Sequence, residues 1–197
     1  MKHFTDLRSI TFPDSINDID FSDIKNFSNS PAIYFKNNPF YTHYIVENEG
    51  EDAEKTAMIK SEELVWYPKT ANSVVFDEKI ISIGKSVFEN YDKDALEANL
   101  KNIVIPNSVT IIREKAFKNC KSNIYFGSEN GTVSEGIEKI EKEGFFGASK
   151  LNLEWLSSTQ TLEDRALKGT NLKEIFLPKI INIGNDCIDA DYIYIRA

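Results

Sequence analysis

The sequence predicts a mainly β chain with short helical and irregular segments, wound into a solenoid of stacked coils that share one parallel sheet and carry an inserted β-hairpin. Three observations predict it. Phe88, Phe117 and Phe145 each have an Ile five positions before them (Ile83, Ile112, Ile140) and an apolar residue eight before (Ile80, Val109, Ile137). The residue just before the anchor is Val87, Ala116 or Gly144, and Ala166 or Cys187 in weaker copies, as suits a place where a neighbouring coil's backbone comes close. Each anchor is followed by a short alternating segment, the signature of a strand with one buried face. Coils that touch only their neighbours present long surfaces and few enclosed clefts, so recognition rather than chemistry is the default expectation.

Taken in order, the first coil opens with a strand at 7–13 (LRSITFP) and closes on Ile24, with Ile19 and Ile16 at the same spacing. Asp23 breaks the small-residue rule there, which marks a looser end coil, because terminal repeats are usually atypical. A strand at 33–35 leads into a hairpin insertion at 36–72. The tip of that hairpin, 47–54 (ENEGEDAE), carries five acidic groups and no bulky apolar side chain. A calcium loop needs oxygen ligands at fixed alternating positions around a Gly turn; Gly50 sits in a plain acidic cluster instead, so a solvated tip is expected. A strand at 74–76 precedes the Phe88 anchor. Residues 89–101 (ENYDKDALEANLK) place Tyr91, Leu96 and Leu100 at helical spacing, a short helix lying against the stack. Strands follow at 103–106, 124–126, 151–156, 172–178 and 192–195, with anchors at Phe117, Phe145, Leu167 (with Leu162) and Ile188 (with Ile183 and Ile180). Pro13, Pro106 and Pro178 fall just past strands, where a missing amide costs no ladder bond. Asn130-Gly131 marks a protruding loop within 127–136. Eight strands at ~4.8 Å each make a slab about 38 Å long, organised as one domain over 1–197.

The stretch 103–120, IVIPNSVTIIREKAFKNC, carries a resemblance that can be named. It is similar to the BspA-type leucine-rich repeat, whose unit resembles LxxIxIPxSVTxIGxxAFxxC. Arg113 stands where Gly is usual, while Ser82-Ile83-Gly84 and Asn182-Ile183-Gly184 keep that Gly. Members often interrupt their coils with a hairpin resembling NxxYxxxDGxLYxxDxxxLxxYP; Asn38-Pro39-Phe40-Tyr41, Ala57-Met58-Ile59 and Glu63-Leu64-Val65-Trp66-Tyr67-Pro68 sit in that order. The likeness covers about residues 7–195. It implies a leucine-rich-repeat solenoid and, as a family role, surface adhesion and host-protein binding.

The net charge of −8 and the absence of a basic run exclude phosphate-backbone binding, which needs Lys and Arg to displace counterions. Nucleic acid and an anionic membrane surface are therefore not expected partners, and no apolar run reaches the ~18 residues that a membrane span requires. Asp6, Asp14, Asp18 and Asp20 are incompatible with a signal-peptide core. Either Met1 is a native start, which implies the cytoplasm, or the chain is a mature or truncated part of a longer exported one, at the cell surface or secreted. Cys120 and Cys187 belong to coils roughly 14 Å apart by strand spacing, beyond the ~7 Å a disulfide allows. Both are read as buried free thiols.

Signals for catalysis are thin. His3 and His43 are the two available imidazoles, and no Ser or Cys nucleophile falls near either. Metal-ligand clusters and phosphate-binding or nucleophile-elbow glycine motifs are missing, so no enzyme and no cofactor are expected. Glu141, Glu143 and Asp191 read as solubilising surface. If Ile103 and Ile105 point inward, the pleat turns Val104 outward and exposes Tyr34, Val75, Tyr125, Phe176 and Tyr194 in the same register. That ribbon is the candidate site for a protein ligand; alternatively, β-branched and aromatic residues occupy those positions because they favour strands whichever way they face. The ends of the stack expose edge strands without obvious caps, which points to end-to-end self-association or to continuation by further repeats. Three uses fit this scaffold: adhesion or host interaction, an intracellular inhibitor or immunity-type partner, and a structural spacer in a longer repeat protein.

Overall fold

The structure, a computed structural model, describes residues 8–21, 31–48, 54–68, 71, 73–91 and 102–196, with backbone alone at 47, 48 and 54. Among these residues all regular structure is strand. β1 (Ser9–Phe12) and β2 (Ala32–Phe35) pair in parallel. The chain then runs through β3 (Tyr41–Asn48), β4 (Glu54–Lys60) and β5 (Glu63–Trp66), each antiparallel to the one before, and returns to parallel pairing at β6 (Ser82–Ile83). The following coils contribute β7 (Asn102–Ile105) with β8 (Ile111–Ile112), then β9 (Asn123–Phe126), β10 (Val133–Ser134) and β11 (Lys139–Ile140). They end with β12 (Trp155–Leu156) and β13 (Thr161–Leu162), β14 (Glu174–Leu177) and β15 (Asn182–Ile183), and β16 (Tyr192–Ile195).

The Ile five residues before each anchor builds the longest sheet. Ile83, Ile112, Ile140, Leu162 and Ile183 stand in successive register, and the sheet order β15-β13-β11-β8-β6-β5-β4-β3 contains eight strands. The hairpin insertion does not stand off from the stack: β5 is the rung before β6, so β4 and β3 extend the same sheet by antiparallel pairing. Its acidic tip at 49–53, the Ile24 anchor with Asp23, Leu7, and the expected helix from residue 92 to 101 lie outside the described residues.

The anchors form a column. Tyr67, Phe88, Phe117 and Phe145 have ring centroids 5.4, 5.0 and 5.0 Å apart in succession, the last two steps with planes within 13° and 10°. Leu167 and Ile188 continue it through a parallel bridge. Each anchor amide donates to the residue before the next anchor: Phe88 to Ala116 (2.7 Å), Phe117 to Gly144 (2.7 Å), Phe145 to Ala166 (2.9 Å) and Leu167 to Cys187 (2.8 Å). At Gly144 the space for a side chain is taken within the coil. A Cβ at Gly144 would lie 2.7 Å from Cγ2 of Ile140.

The anchor turn carries a second regularity. Residues two before and two after the anchor adopt left-handed backbone: Ser86 and Asn90 (φ 57°, 54°), Lys115 and Asn119 (58°, 55°), Glu143 and Gly147 (58°, 68°), Arg165 and Gly169 (57°, 72°). For a residue with a Cβ this conformation costs roughly 1–2 kcal/mol. Alternating hand turns every second amide along the stack, so Ser86, Phe88 and Asn90 donate to Glu114, Ala116 and Lys118 of the next coil. Three inter-coil hydrogen bonds, each worth about 1 kcal/mol net, offset the strain.

The IxIP-type strands depart from expectation. Instead of sharing one sheet along the slab, they divide into β1-β2, β7-β9 and β10-β12-β14-β16. Two local causes account for the breaks. At 74–76 no strand forms, because hydroxyls take the ladder's place: the Val75 amide donates to Tyr67 Oη (3.0 Å) and its carbonyl accepts from Tyr44 Oη (2.9 Å). At 127–132 the chain doubles back through Asn130 (φ 65°), with the Phe126 amide donating to the Gly131 carbonyl (2.9 Å). The coil therefore offers two segments, β9 toward β7 and β10 toward β12, and the next coil meets both at Leu151 and Trp155. The expected strand at 151–156 is accordingly a bridge at Leu151 and a two-residue β12.

Candidate interaction face

On the β10-β12-β14-β16 sheet, alternation sorts the side chains cleanly. In Glu174–Leu177 the pattern is exposed, buried, exposed, buried, so Ile175 and Leu177 enter the core and Phe176 faces out. Leu156 is buried beside an outward Trp155. Register then aligns Val133, Trp155, Phe176 and Tyr194 in one outward column. Trp155, Phe176 and Tyr194 are 45%, 38% and 45% exposed. Their rings touch: Trp155 and Phe176 at 6.0 Å, tilted by 43°, and Phe176 and Tyr194 stacked at 4.5 Å and 12°. A shallow depression of about 200 Å³ runs beside them, lined by Trp155, Phe176, Leu177, Pro178, Tyr194 and Arg196.

The six residues expected to form a ribbon fall in four places. Phe176 and Tyr194 come together as expected. Val104 and Tyr125 are direct partners on β7 and β9, both half-buried, and the loop at 127–132 separates them from the Phe176 column. Tyr34 is half-buried on β2, its ring against the edge of His43 at 5.3 Å. Val75 is exposed but in no strand. Trp155 and Val133 were missed. A signal for Trp155 exists: counting six back from Leu162 and Ile183 gives Leu156 and Leu177, which fixes Trp155 and Phe176 as the outward neighbours.

Charges run beside the apolar columns. Glu63 and Arg113 pair at 2.8 Å, Arg113 and Glu141 at 3.0 Å, Lys139 and Glu163 at 2.7 Å. The Glu63 carboxylate, with Glu141 on the other side, holds the Arg113 guanidinium above its usual range. All are partly solvated, so each contributes little alone. Glu143 differs. Its side chain is only 4% exposed and sits between Lys118 Nζ and Arg165 Nη2, each at 2.6 Å, with both cations also over the Phe146 ring. The Lys118 ammonium foremost holds its carboxyl below the ordinary range. The expectation that Glu143 is solubilising surface is thus corrected: it is buried between the two cations of the neighbouring coils. Positions two before successive anchors read Lys115, Glu143, Arg165 and Asp186, a column of alternating sign.

His43 lies on β3, where Nδ1 is 3.5 Å from the Phe35 amide. Cys120 and Cys187 are thiols, not joined in a disulfide, and are buried in separate coils. The Cys187 thiol donates to the Glu163 carbonyl (3.2 Å), and burial pushes its pKa up. Among the described residues no group of three or more His, Cys, Asp or Glu side chains is placed to hold a metal ion, and no helix is long and apolar enough to cross a membrane. The family model of the BspA type leucine rich repeat region matches residues 62–193 in six copies, from the turn before β5 to the second residue of β16. No curated protein matches the chain significantly.

Proposed function

Since the chain belongs to the family of proteins built on BspA-type leucine-rich repeats, whose solenoids serve generally as protein-interaction modules, we propose that it is a non-enzymatic module. It binds a protein ligand through the outward face of its strands, in surface adhesion or host interaction. The observation that supports this reading is the contiguous ladder of Trp155, Phe176 and Tyr194, three exposed rings in mutual contact. Large aromatic side chains give rigid contact area at low entropic cost and dominate binding energy at interfaces. In this reading Phe176 and Tyr194 belong to the ladder, Val104 and Tyr125 offer a second, separate patch, and Tyr34 and Val75 are further candidate contacts. The net charge of −8 favours a basic protein as the ligand, and an intracellular inhibitor or immunity role would use the same property. End-to-end self-association is part of the reading.

The test compares affinity capture from host and native lysates by the unaltered chain and by Trp155→Ser/Phe176→Ser. The variant should keep the far-UV circular dichroism spectrum and lose the captured protein. Equal capture by both chains removes the ladder from the interface.

A further inference from the structure

Asn130 is the one asparagine in the sequence that precedes a glycine. The pairing carries chemistry, because Gly131 has no side chain to keep its backbone nitrogen from the Asn130 side-chain amide. Once that nitrogen loses its proton, it attacks Cγ of Asn130: the N–Cγ bond forms, the Cγ–Nδ2 bond breaks, and Nδ2 leaves as ammonia with the proton. The product is a five-membered succinimide. Water then opens the ring at either carbonyl. Breaking the bond from the nitrogen to Cγ gives aspartate on an ordinary main chain, and breaking the bond to the main-chain carbonyl gives isoaspartate, whose backbone runs through Cγ. Each route consumes a water, releases an ammonia and needs no oxidant, reductant or enzyme.

The turn at 127–132 both requires this dipeptide and restrains it. Asn130 is exposed with φ 65°, a backbone that Asn tolerates better than most residues. A Cβ on residue 131 would lie 1.9 Å from the Phe126 carbonyl oxygen, so only glycine fits there. In the closed turn the Gly131 amide donates to the Ser128 carbonyl and the Gly131 carbonyl accepts from the Phe126 amide, each at 2.9 Å. The nitrogen that must attack is held by its proton, and its residue is fixed on the carbonyl side too. Attack therefore needs a local opening of the turn, of the kind that surface loops undergo at far lower cost than global unfolding. After ring closure the nitrogen has no proton, and its bond to Ser128 is gone.

We propose that Asn130 is a self-modification site gated by its own turn: opening of 127–132 commits it through the succinimide to isoaspartate, which detaches β10 from β12 beside the Trp155 ladder. The detachment comes from what the turn aligns. The Thr132 carbonyl accepts from the Glu154 amide at 2.9 Å, and Val133 is the strand partner of Trp155. Isoaspartate adds a backbone carbon inside the loop that Phe126 and Gly131 close, so the path from Phe126 to Thr132 no longer matches the rung at Glu154 and Trp155. The aspartate product lengthens nothing and only adds a charge next to Glu129. This modification is independent of what the ladder binds.

Incubation of the purified chain in mildly alkaline buffer, with and without denaturing urea, tests this; peptide mapping by mass spectrometry and isoaspartyl methyltransferase labelling locate the products. In urea Asn130 should convert before every other asparagine, and in the native chain it should convert at least about tenfold more slowly. Gly127→Ala puts a side chain on a left-handed residue of the same turn (φ 71°), where the new Cβ meets only the Asn107 side chain. That strain favours the open turn, so native conversion should speed up roughly tenfold while the rate in urea stays the same. Asn130→Gly, which keeps the left-handed backbone and deletes the reacting amide, should abolish conversion at this position. The isoaspartyl chain, separated from the unconverted one by ion exchange, should lose hydrogen-exchange protection at the Glu154 amide, whereas Asn130→Asp should keep it. Equal rates in the native and unfolded chains, a Gly127→Ala chain that is folded by circular dichroism yet converts no faster, or an isoaspartyl chain with Glu154 still protected overturns the proposal.

Discussion

Phe117→Ala tests the column on which the coil stacking depends. The ring is fully buried and stacked on both faces, at 5.0 Å from Phe88 and 5.0 Å from Phe145. Truncating a packed Phe costs roughly 3–5 kcal/mol in transfer and cavity terms, and two lost ring pairs of about 0.5–1.5 kcal/mol each place this site near the top of that range. The cost falls on two coil interfaces at once, since repeats are stabilised chiefly by nearest neighbours. Phe117→Leu, which imitates Leu167 in the same column, should lose roughly 1–3 kcal/mol, mainly the two stacks. Urea unfolding followed by circular dichroism gives the numbers. A double-mutant comparison sharpens them: Phe88 and Phe145 both touch Phe117 but not each other, so their losses should add within about 0.5 kcal/mol, while Phe117 should couple to each. A loss under about 1 kcal/mol for Phe117→Ala, or equal coupling between Phe88 and Phe145, would refute the column.

Glu143→Gln should cost about 1–3 kcal/mol, as removal of one partner leaves Lys118 and Arg165 around a neutral amide. Because the folded state holds the Glu143 carboxyl below its ordinary value, the pairing stabilises fully above the unfolded chain's pKa of ~4.3 and is lost as pH falls through the lower folded value. The urea midpoints of the unaltered chain and Glu143→Gln should therefore converge on acidification below about pH 4, and a gap that persists unchanged into strong acid would contradict the assignment. Cys120 and Cys187 should resist alkylation in the native state and add two alkyl groups, without prior reduction, once unfolded; mass spectrometry checks both steps, and a disulfide would show as missing additions.

The legible part of this chain was the part set by fixed spacing. Phe88, Phe117 and Phe145 with their Ile partners mark the inward rungs, and the structure aligns them in a stack. Asn130-Gly131 announced a turn, and the turn is there. What escaped was anything decided by contacts distant in sequence. Val75 lost its strand to hydroxyls from Tyr44 and Tyr67, an arrangement invisible until the insertion is folded back. The turn at 127–132 was visible, but not that it would move the outward column from Tyr125 to Val133 and so part Tyr125 from Phe176. Acidic residues are usually solvated, so Glu143 reads as surface; its burial depends on Lys118 and Arg165 of the adjacent coils, cations brought to it only when the coils stack.

The alternation of Lys115, Glu143, Arg165 and Asp186 along the anchor turns bears on how a chain of near-identical units finds its order. Were one coil skipped during folding, so that the Phe117 turn met the Leu167 turn directly, lysine would face arginine, and the apolar surfaces alone would hardly object. Like charges brought together make that shortcut unfavourable, and repeat chains are prone to such misassembly. The charged column thus works as a sequence key, letting uniform greasy layers be interchangeable in shape yet not in position.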